Sequence, residues 1–324
     1  EKIFDRTDFE SGFNCIKQLT LNGTPVYLLM GNHDVVHKKD ILEEGNLLEM
    51  CDILKYQLSY RNNLNINSIH KHLKDYHTLI LFLNTNLYDE DIREDTTLPC
   101  QRLYRDGYPE VVLKNLESII NYEKNIFLQL VSNYLKNDNT FKNIILVGHH
   151  PIYSIKYKQK KKEDTVKMST FSFQGLKFLD LLFSMFENDV NKYYLCADIH
   201  HYQSGTLQLN NHTIKQQVVG TGGTECDKIN RDIVGINKQF SQNVNSPKDN
   251  LEEVIDSKDD EETIRLTLTI DNIIDKHGYL QCELDELHNF SSEFIPVLDC
   301  DYKDKVGGKY IRKIKQKTKK NKNI

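Results

Sequence analysis

Several polar residues suited to metal chemistry directly follow an apolar run near the start of the chain. Gly31 ends the run at residues 26–30, and Asn32, His33 and Asp34 come next. An amide oxygen, an imidazole and a carboxylate can each bind a divalent cation or orient the groups around it. The run has the composition of a buried parallel strand, and open α/β sheets bind ligands at the carboxyl ends of such strands. Taken alone, however, the three polar residues are more typical of a turn with a hydrogen-bonded histidine.

Histidine-bearing or glycine-rich turns recur after three later apolar segments. Core packing does not require histidines at the same end of successive strands, whereas a parallel sheet would gather such turns along one edge. Imidazole, amide oxygen and carboxylate donors together suit Zn, Fe or Mn better than Ca or Mg. The turns are Gly148-His149-His150 after residues 143–147, Asp198-Ile199-His200-His201 after residues 193–196, and Gly220-Thr221-Gly222-Gly223 after residues 214–219.

The blocks at residues 31–34, 146–154 and 195–203 resemble the metal-ligand blocks of the calcineurin-like metallophosphoesterases. They are most similar, in order, to the third, fourth and fifth blocks of purple acid phosphatases of the tartrate-resistant type. The resemblance runs from about residue 8 to about residue 226. It implies an α/β fold built as a four-layer α/β/β/α sandwich. It also implies two metal ions at the strand ends, Fe together with Zn, Mn or a second Fe.

The same resemblance gives roles to individual residues. It implies that Asn32 and His149 bind the second metal and that His200 binds the first. His33 would stand beside the leaving group as an acid or an electrostatic stabiliser. The other polar residues of these turns are expected to line the pocket or to contact the ligands from behind: Asp34, His150 and His201.

Two departures from the family pattern bear on the metal site. The last block normally contains Gly-His where this chain has Ala197-Asp198. We expect Asp198 to replace the missing imidazole, because a carboxylate oxygen binds the same ions at about 2.0–2.2 Å; the alternative is a site that lacks one ligand. The family's first two blocks, an early Asp and a Gly-Asp-x-x-Tyr, are absent. The chain is therefore expected to be a fragment that begins after those blocks and is inactive on its own.

The chemistry implied by the resemblance is hydrolysis of a phosphate monoester on a small molecule or a phosphoprotein. Two metal ions polarise the phosphoryl group and activate a water, whose hydroxide attacks phosphorus. His33→Ala is predicted to slow turnover by roughly 10²–10⁴ while metal content is largely kept. Two alternatives stay open. One is a phosphodiesterase or nuclease of the same superfamily, and the other is a degenerate, non-catalytic protein that keeps the fold.

Apolar periodicity predicts an α/β core with antiparallel strands toward the C-terminus. The segment at residues 156–167 is basic and is expected to be a solvated loop, or else a rim that attracts an anionic substrate. Residues 89–108 are also predicted as a loop. Helices are predicted at residues 8–20, 113–136 and 173–186, and strands at residues 26–30, 78–83, 143–147, 193–196, 214–219, 264–270 and 279–284.

Four regions are predicted along the chain: a phosphoesterase core at residues 1–226, a polar acidic insertion at 227–262, strands completing the core at 263–300 and a basic flexible tail at 301–324. The net charge of −5 gives no general attraction to nucleic acid, and no apolar run reaches the ~18 residues that span a bilayer. Seven dispersed cysteines without a Cys-x-x-Cys pair indicate mostly reduced thiols. They slightly favour an intracellular protein, although secretion stays open.

Overall fold

The computed structural model describes residues 18–32, 68–89, 108–137, 140–159, 164–220, 236–246 and 262–297, together with residues 54, 98, 100–102, 305–306 and 309–310. The two long helices of these described residues are α1 (Leu116–Asn137) and α2 (Phe173–Ser184), and residues 18–21, at the end of the first predicted helix, are also helical. The strands are β1 (His70–Leu73), β2 (Thr78–Phe82), β3 (Asn143–Val147), β4 (Tyr153–Gln159), β5 (Asp164–Thr170), β6 (Asn191–Cys196), β7 (Tyr202–Leu209), β8 (His212–Val219), β9 (Gln239–Asn245), β10 (Thr263–Ile274), β11 (Gly278–Leu284), β12 (Phe290–Pro296), β13 (Lys305–Val306) and β14 (Lys309–Tyr310).

A central sheet of eight strands runs in the order β1-β2-β3-β6-β8-β7-β10-β9. Strands β2, β3, β6 and β8 are parallel neighbours, whereas β1, β7, β10 and β9 join the sheet in antiparallel pairs. The carboxyl ends of the four parallel strands therefore share one edge. Most of their side chains are buried, as in β3, where Ile144 and Leu146 are inaccessible to solvent.

Successive residues of β8 show how the two faces of the sheet are covered. Gln216 accepts hydrogen bonds from the backbone N–H groups of Ile152 and Tyr153, on the face where α2 also packs. Gln217 points to the opposite face and donates to Ser292 of β12. The β4–β5 hairpin thus covers one face and the β11–β12 hairpin covers the other.

The predicted α/β fold is confirmed, and the structure shows that most of its strands form one large central sheet. Strands at residues 143–147, 78–83, 193–196 and 214–219 form as β3, β2, β6 and β8. The helix predicted from residue 113 begins at Leu116, because a 3₁₀ turn occupies Val112–Lys114 and the Asn115 side chain accepts from the N–H of Ser118. In α1 the buried face also includes Glu123, which the apolar pattern missed.

The strand predicted at residues 26–30 is wrong. Only Tyr27 makes a bridge, and its ring stacks on Phe82 with centroids 4.9 Å apart. Strand β2 pairs with β1 on one side and with β3 on the other, so the run does not join the sheet beside β2. The carbonyl oxygen of Met30 instead accepts a hydrogen bond from Asn86, in the turn after β2.

The loop predicted at residues 156–167 is also wrong, since most of it belongs to the β4–β5 hairpin. The buried Tyr153 and Ile155 lie just before the predicted loop, at the start of β4, and the lysines that follow them conceal the continuation of this strand. In the predicted loop at 89–108, residues 98 and 100–102 are helical. Strands β7, β9 and β12 were not predicted. The strand predicted at residues 279–284 forms as β11, which pairs with β12.

Several predictions lie wholly or partly outside the described residues. They include residues 8–17 of the first predicted helix and residues 311–324 of the tail. Within the predicted acidic insertion, Gln239–Asn245 forms the edge strand β9. The four region boundaries remain predictions.

Two further sequence-based expectations concern the cysteines and the membrane. Cys196 and Cys282 carry free thiols, whereas Cys100 is disulfide-bonded. Within the described residues, no helix combines the length and apolarity that crossing a bilayer requires.

Candidate metal site

Three side chains that can bind a metal meet at the carboxyl edge of the parallel strands. His149 follows β3, Asp198 follows β6, and Asn32 follows the apolar run at residues 26–30. The Nε2 atom of His149 lies 3.2 Å from Oδ1 of Asn32 and 3.7 Å from Oδ1 of Asp198. Residues distant in the chain thus place an imidazole, an amide oxygen and a carboxylate around one point.

His150 belongs to the same cluster. Ligand atoms of His149, His150 and Asp198 all lie within 4.8 Å of one another. The Nε2 atom of His150 is also 3.6 Å from Oδ2 of Asp89, which follows the turn at the end of β2. His200 is described by the structure but is not a member of this cluster.

Two glycines allow the turns to approach closely. A Cβ on Gly31 would come within 2.8 Å of the His149 imidazole, so the backbone can lie against this ring only if residue 31 is glycine. A Cβ on Gly148 would collide with the Tyr194 hydroxyl and with Thr85. The glycines in these two blocks therefore allow the backbone to pack closely against the side chains around the cluster.

The turn after β2 braces both histidines of the cluster. The Thr85 hydroxyl oxygen accepts hydrogen bonds from the backbone N–H groups of His149, at 3.0 Å, and His150, at 2.9 Å. Asn86 donates to the carbonyl oxygen of Met30 at 2.8 Å, and this bond fixes the backbone just before Gly31 and Asn32. The Tyr194 hydroxyl donates to the carbonyl oxygen of His150. A single buried turn therefore connects the segments that carry Asn32 and His149.

Asp198 reaches the cluster through an unusual backbone conformation. Its φ is +65°, and the N–H of Ile199 donates to the carbonyl oxygen of Ala197 at 2.9 Å. Such a three-residue turn with positive φ is rare for a residue that has a side chain, and it costs free energy. The N–H of Ala197 also donates to the carbonyl oxygen of His149 at 2.8 Å, so the turns after β3 and β6 are joined.

Burial shifts the pKa values of two groups beside the cluster. Burial lowers the pKa of His150, although the carboxylates of Asp89 and Asp198 act in the opposite direction. Burial raises the pKa of the Cys196 thiol well above its usual range, and Asp198 adds to this shift. Cys196 therefore stays a thiol and does not compete as a thiolate ligand.

The donor set fits a transition-metal ion or Zn²⁺. Neutral imidazole, amide oxygen and carboxylate are donors that Zn, Fe and Mn accept. Asn32, His149 and Asp198 are the residues that would hold such an ion. Asp198 supplies a carboxylate where the family pattern has an imidazole.

The other predicted site residues have different positions. His33 and Asp34 lie outside the described residues. His200 is half-buried, and His201 is buried with its Nε2 atom 3.5 Å from Nε2 of Gln203. Sequence reasoning missed Thr85, Asn86 and Asp89. The segment Asn84-Thr85-Asn86 does follow an apolar strand in the sequence, which is the signal that could have drawn attention to it. The functional roles of all these residues remain predictions.

Comparison with known proteins agrees with the position of the cluster. The family model of the calcineurin-like phosphoesterases matches residues 3–202, which include Asn32, His149 and Asp198. Searches of curated proteins and of solved structures found no match. Members of this family bind two metal ions and hydrolyse phosphoester bonds. The match covers more than half of the chain, and the protein therefore belongs to the calcineurin-like phosphoesterase family.

Proposed function

We propose that the protein is a metal-dependent phosphomonoesterase of the purple acid phosphatase type. The observation that supports this most strongly is the meeting of Asn32, His149 and Asp198, with separations of 3.2 and 3.7 Å from the His149 Nε2 atom. Turns from separate parts of the chain supply these groups, and packing alone does not require them to converge.

The residues of this chain would hold the metal ions and orient the groups that surround them. Asn32, His149 and Asp198 bind one cation, while Thr85 fixes the backbone from which His149 projects. Two bound metal ions would supply an activated water and neutralise charge on the phosphoryl group. His33 would give a proton to the departing alkoxide oxygen.

We further propose that the ions are Fe together with Zn, Mn or a second Fe. A carboxylate from Asp198 in place of an imidazole makes the donor set more negative. A more negative donor set favours a trivalent ion such as Fe³⁺ at that position. If the site prefers Fe³⁺ for this reason, the purified protein should contain more iron than zinc at this position.

One observation favours the diesterase alternative. The β4–β5 hairpin begins only three residues after His150, and Lys156 and Lys167 are direct cross-strand partners within it. A basic hairpin this near the site would suit a substrate with a second anionic group. The position of His200 outside the cluster instead favours the non-catalytic alternative, in which a complete metal pair does not form.

A comparison of two chromogenic esters separates these functions. Full-length protein loaded with Fe and Zn is assayed with 4-nitrophenyl phosphate and with bis(4-nitrophenyl) phosphate. We expect the monoester to be preferred and the activity to be lost in His149→Ala. His212→Ala, the same substitution at the opposite end of the sheet, serves as the matched control. Preference for the diester would support the alternative enzyme, and metal binding without hydrolysis of either ester would contradict the proposal.

A further inference from the structure

Three buried amide side chains form a chain of hydrogen bonds behind the candidate metal site. Asn84 donates through Nδ2 to Oε1 of Gln101 at 2.8 Å. Asn86 donates through Nδ2 to Oδ1 of Asn84 at 3.2 Å and to the carbonyl oxygen of Met30 at 2.8 Å. All three amides are buried. The chain of hydrogen bonds therefore runs from Gln101 to the backbone two residues before the candidate ligand Asn32.

The carbonyl oxygen of Met30 fixes the direction of every hydrogen bond in this chain of amides. A backbone carbonyl can only accept, so Asn86 must turn its Nδ2 toward Met30. The second hydrogen of that NH₂ group can be accepted only by the oxygen of the Asn84 amide, and Nδ2 of Asn84 then faces the oxygen of Gln101. The three amides thus have one consistent orientation, and a change at Gln101 disturbs the bond to Met30.

Gln101 itself lies between two anchored residues. Cys100 is fully buried and disulfide-bonded. Nε of Arg102 donates to the carbonyl oxygen of Leu113 at 2.8 Å, in the 3₁₀ turn before α1. These two attachments hold the backbone of Gln101 and with it the oxygen that accepts from the amide chain. The chain of hydrogen bonds therefore has a fixed end, which a group that orients a metal ligand requires.

Stability alone does not explain three buried amides at this place. Nε2 of Gln101 and Oδ1 of Asn86 are buried without a hydrogen-bond partner among the described residues. A buried polar atom without a partner destabilises the folded protein, and apolar side chains of the same shape would avoid that cost. A buried polar network does, however, fix one arrangement of the backbone to which it binds. Here that backbone is Met30, just before Gly31 and Asn32.

We propose that Gln101 is a positioning residue for the metal site, which acts on the ligand Asn32 through the two asparagines of the amide chain. The residue between Met30 and Asn32 is Gly31, and glycine restricts the backbone less than any other residue. The hydrogen bond to Met30 therefore supplies a restraint on the ligand that Gly31 does not. This inference rests on the metal site of the proposed function and concerns metal binding rather than the hydrolytic step.

The test is a double-mutant cycle in which calorimetry measures the affinity of the full-length protein for Zn²⁺. Gln101→Met removes the acceptor with little change of volume, and we expect the Kd for Zn²⁺ to rise about 10-fold, as for other outer partners of metal ligands. In an Asn32→Ala background the same substitution should change the Kd by less than about twofold, because the residue that it positions is already gone. Asn86→Leu interrupts the amide chain at its middle and should reproduce the loss even if Gln101→Met does not fold.

The matched control is Asn143→Leu, at the amino end of β3. Asn143 is also a buried amide, and it donates to the Thr78 hydroxyl and to the carbonyl oxygen of His288. Its loss should destabilise the fold in urea but leave the Kd for Zn²⁺ unchanged.

Four outcomes would overturn the inference. They are a wild type that does not bind Zn²⁺, unchanged Zn²⁺ affinity when the amide chain is broken, an equal loss of affinity in the Asn32→Ala background, and an equal loss in Asn143→Leu. The proposed function fails separately, if the wild type binds metal but does not hydrolyse phosphate monoesters.

Discussion

The turns after β3 and β6 lie side by side at one sheet edge and carry similar residues, yet they present their side chains differently. After β3, both His149 and His150 enter the cluster on a backbone held by Thr85. After β6, only Asp198 enters, through a left-handed backbone conformation, and His200 does not. The strand that a residue follows decides which edge it reaches, whereas the geometry of the turn decides whether its side chain points into the site.

The largest effect on metal affinity is expected from a substitution in the turn after β3. His149 contacts both Asn32 and Asp198, so His149→Ala removes the ligand that the other two share. We expect metal affinity to fall by more than about 100-fold, because loss of even an outer partner of a ligand costs about 10- to 100-fold. Metal titration of the purified variant measures this. Retention of metal at wild-type affinity would show that the ion binds elsewhere.

A pair of variants in the β6 turn sharpens the comparison. Asp198→Asn removes the carboxylate charge with little change of shape and should weaken metal binding by roughly 10-fold or more. His200→Gln should change it by less than about threefold, because His200 lies outside the cluster. The same titration measures both variants. A larger loss in His200→Gln would reverse the comparison and support the ligand role that the family resemblance gives to His200.

The sequence predicted the edge of the sheet at which the site lies more reliably than it predicted the membership of the site. Continuous apolar runs such as residues 143–147 identify buried parallel strands, and the residues after them must share an edge. The positive φ of Asp198 could not be predicted, because it depends on hydrogen bonds made by Ala197 to the neighbouring turn. The brace formed by Thr85 could not be predicted either, since it joins residues 64 and 65 positions apart in the chain.

The difference between local composition and contacts between distant residues also explains the errors in the predicted fold. The run at residues 26–30 has strand composition, but no local feature shows that β1 and β3 already occupy both sides of β2. In the β4–β5 hairpin, the lysines that follow the buried Tyr153 and Ile155 concealed the continuation of the strand. Strand pairing is a long-range property, and composition alone does not reveal which edges are available.

A smaller effect is expected from the strained backbone of Asp198. Here a substitution should stabilise the protein, whereas the preceding variants lose metal affinity. A residue with a Cβ in this conformation costs free energy that glycine does not, so Asp198→Gly should stabilise the metal-free protein by about 1 kcal/mol. Asp198→Ala keeps the strain and serves as the control, which should show no such gain. Urea unfolding measures both. Destabilisation by Asp198→Gly would indicate that contacts of the carboxylate outweigh the strain.

The smallest effect is expected at the opposite end of the sheet, at His212. Burial lowers the pKa of His212 below its ordinary value of 6.5, although Asp180 acts in the opposite direction. The unfolded chain therefore binds the proton more readily, and stability should decrease as the pH falls through about 6.5. His212→Gln should make this dependence shallower when unfolding is followed between about pH 7.5 and 5.5. An unchanged pH dependence would show that His212 does not contribute.

The most direct test of the metal site is the anomalous diffraction of crystals grown with Zn²⁺. We expect a peak at about 2.0–2.2 Å from Oδ1 of Asn32, Nε2 of His149 and a carboxylate oxygen of Asp198. Zinc bound by His200 without His149 and Asp198, or no zinc at this edge of the sheet, would contradict the arrangement described above.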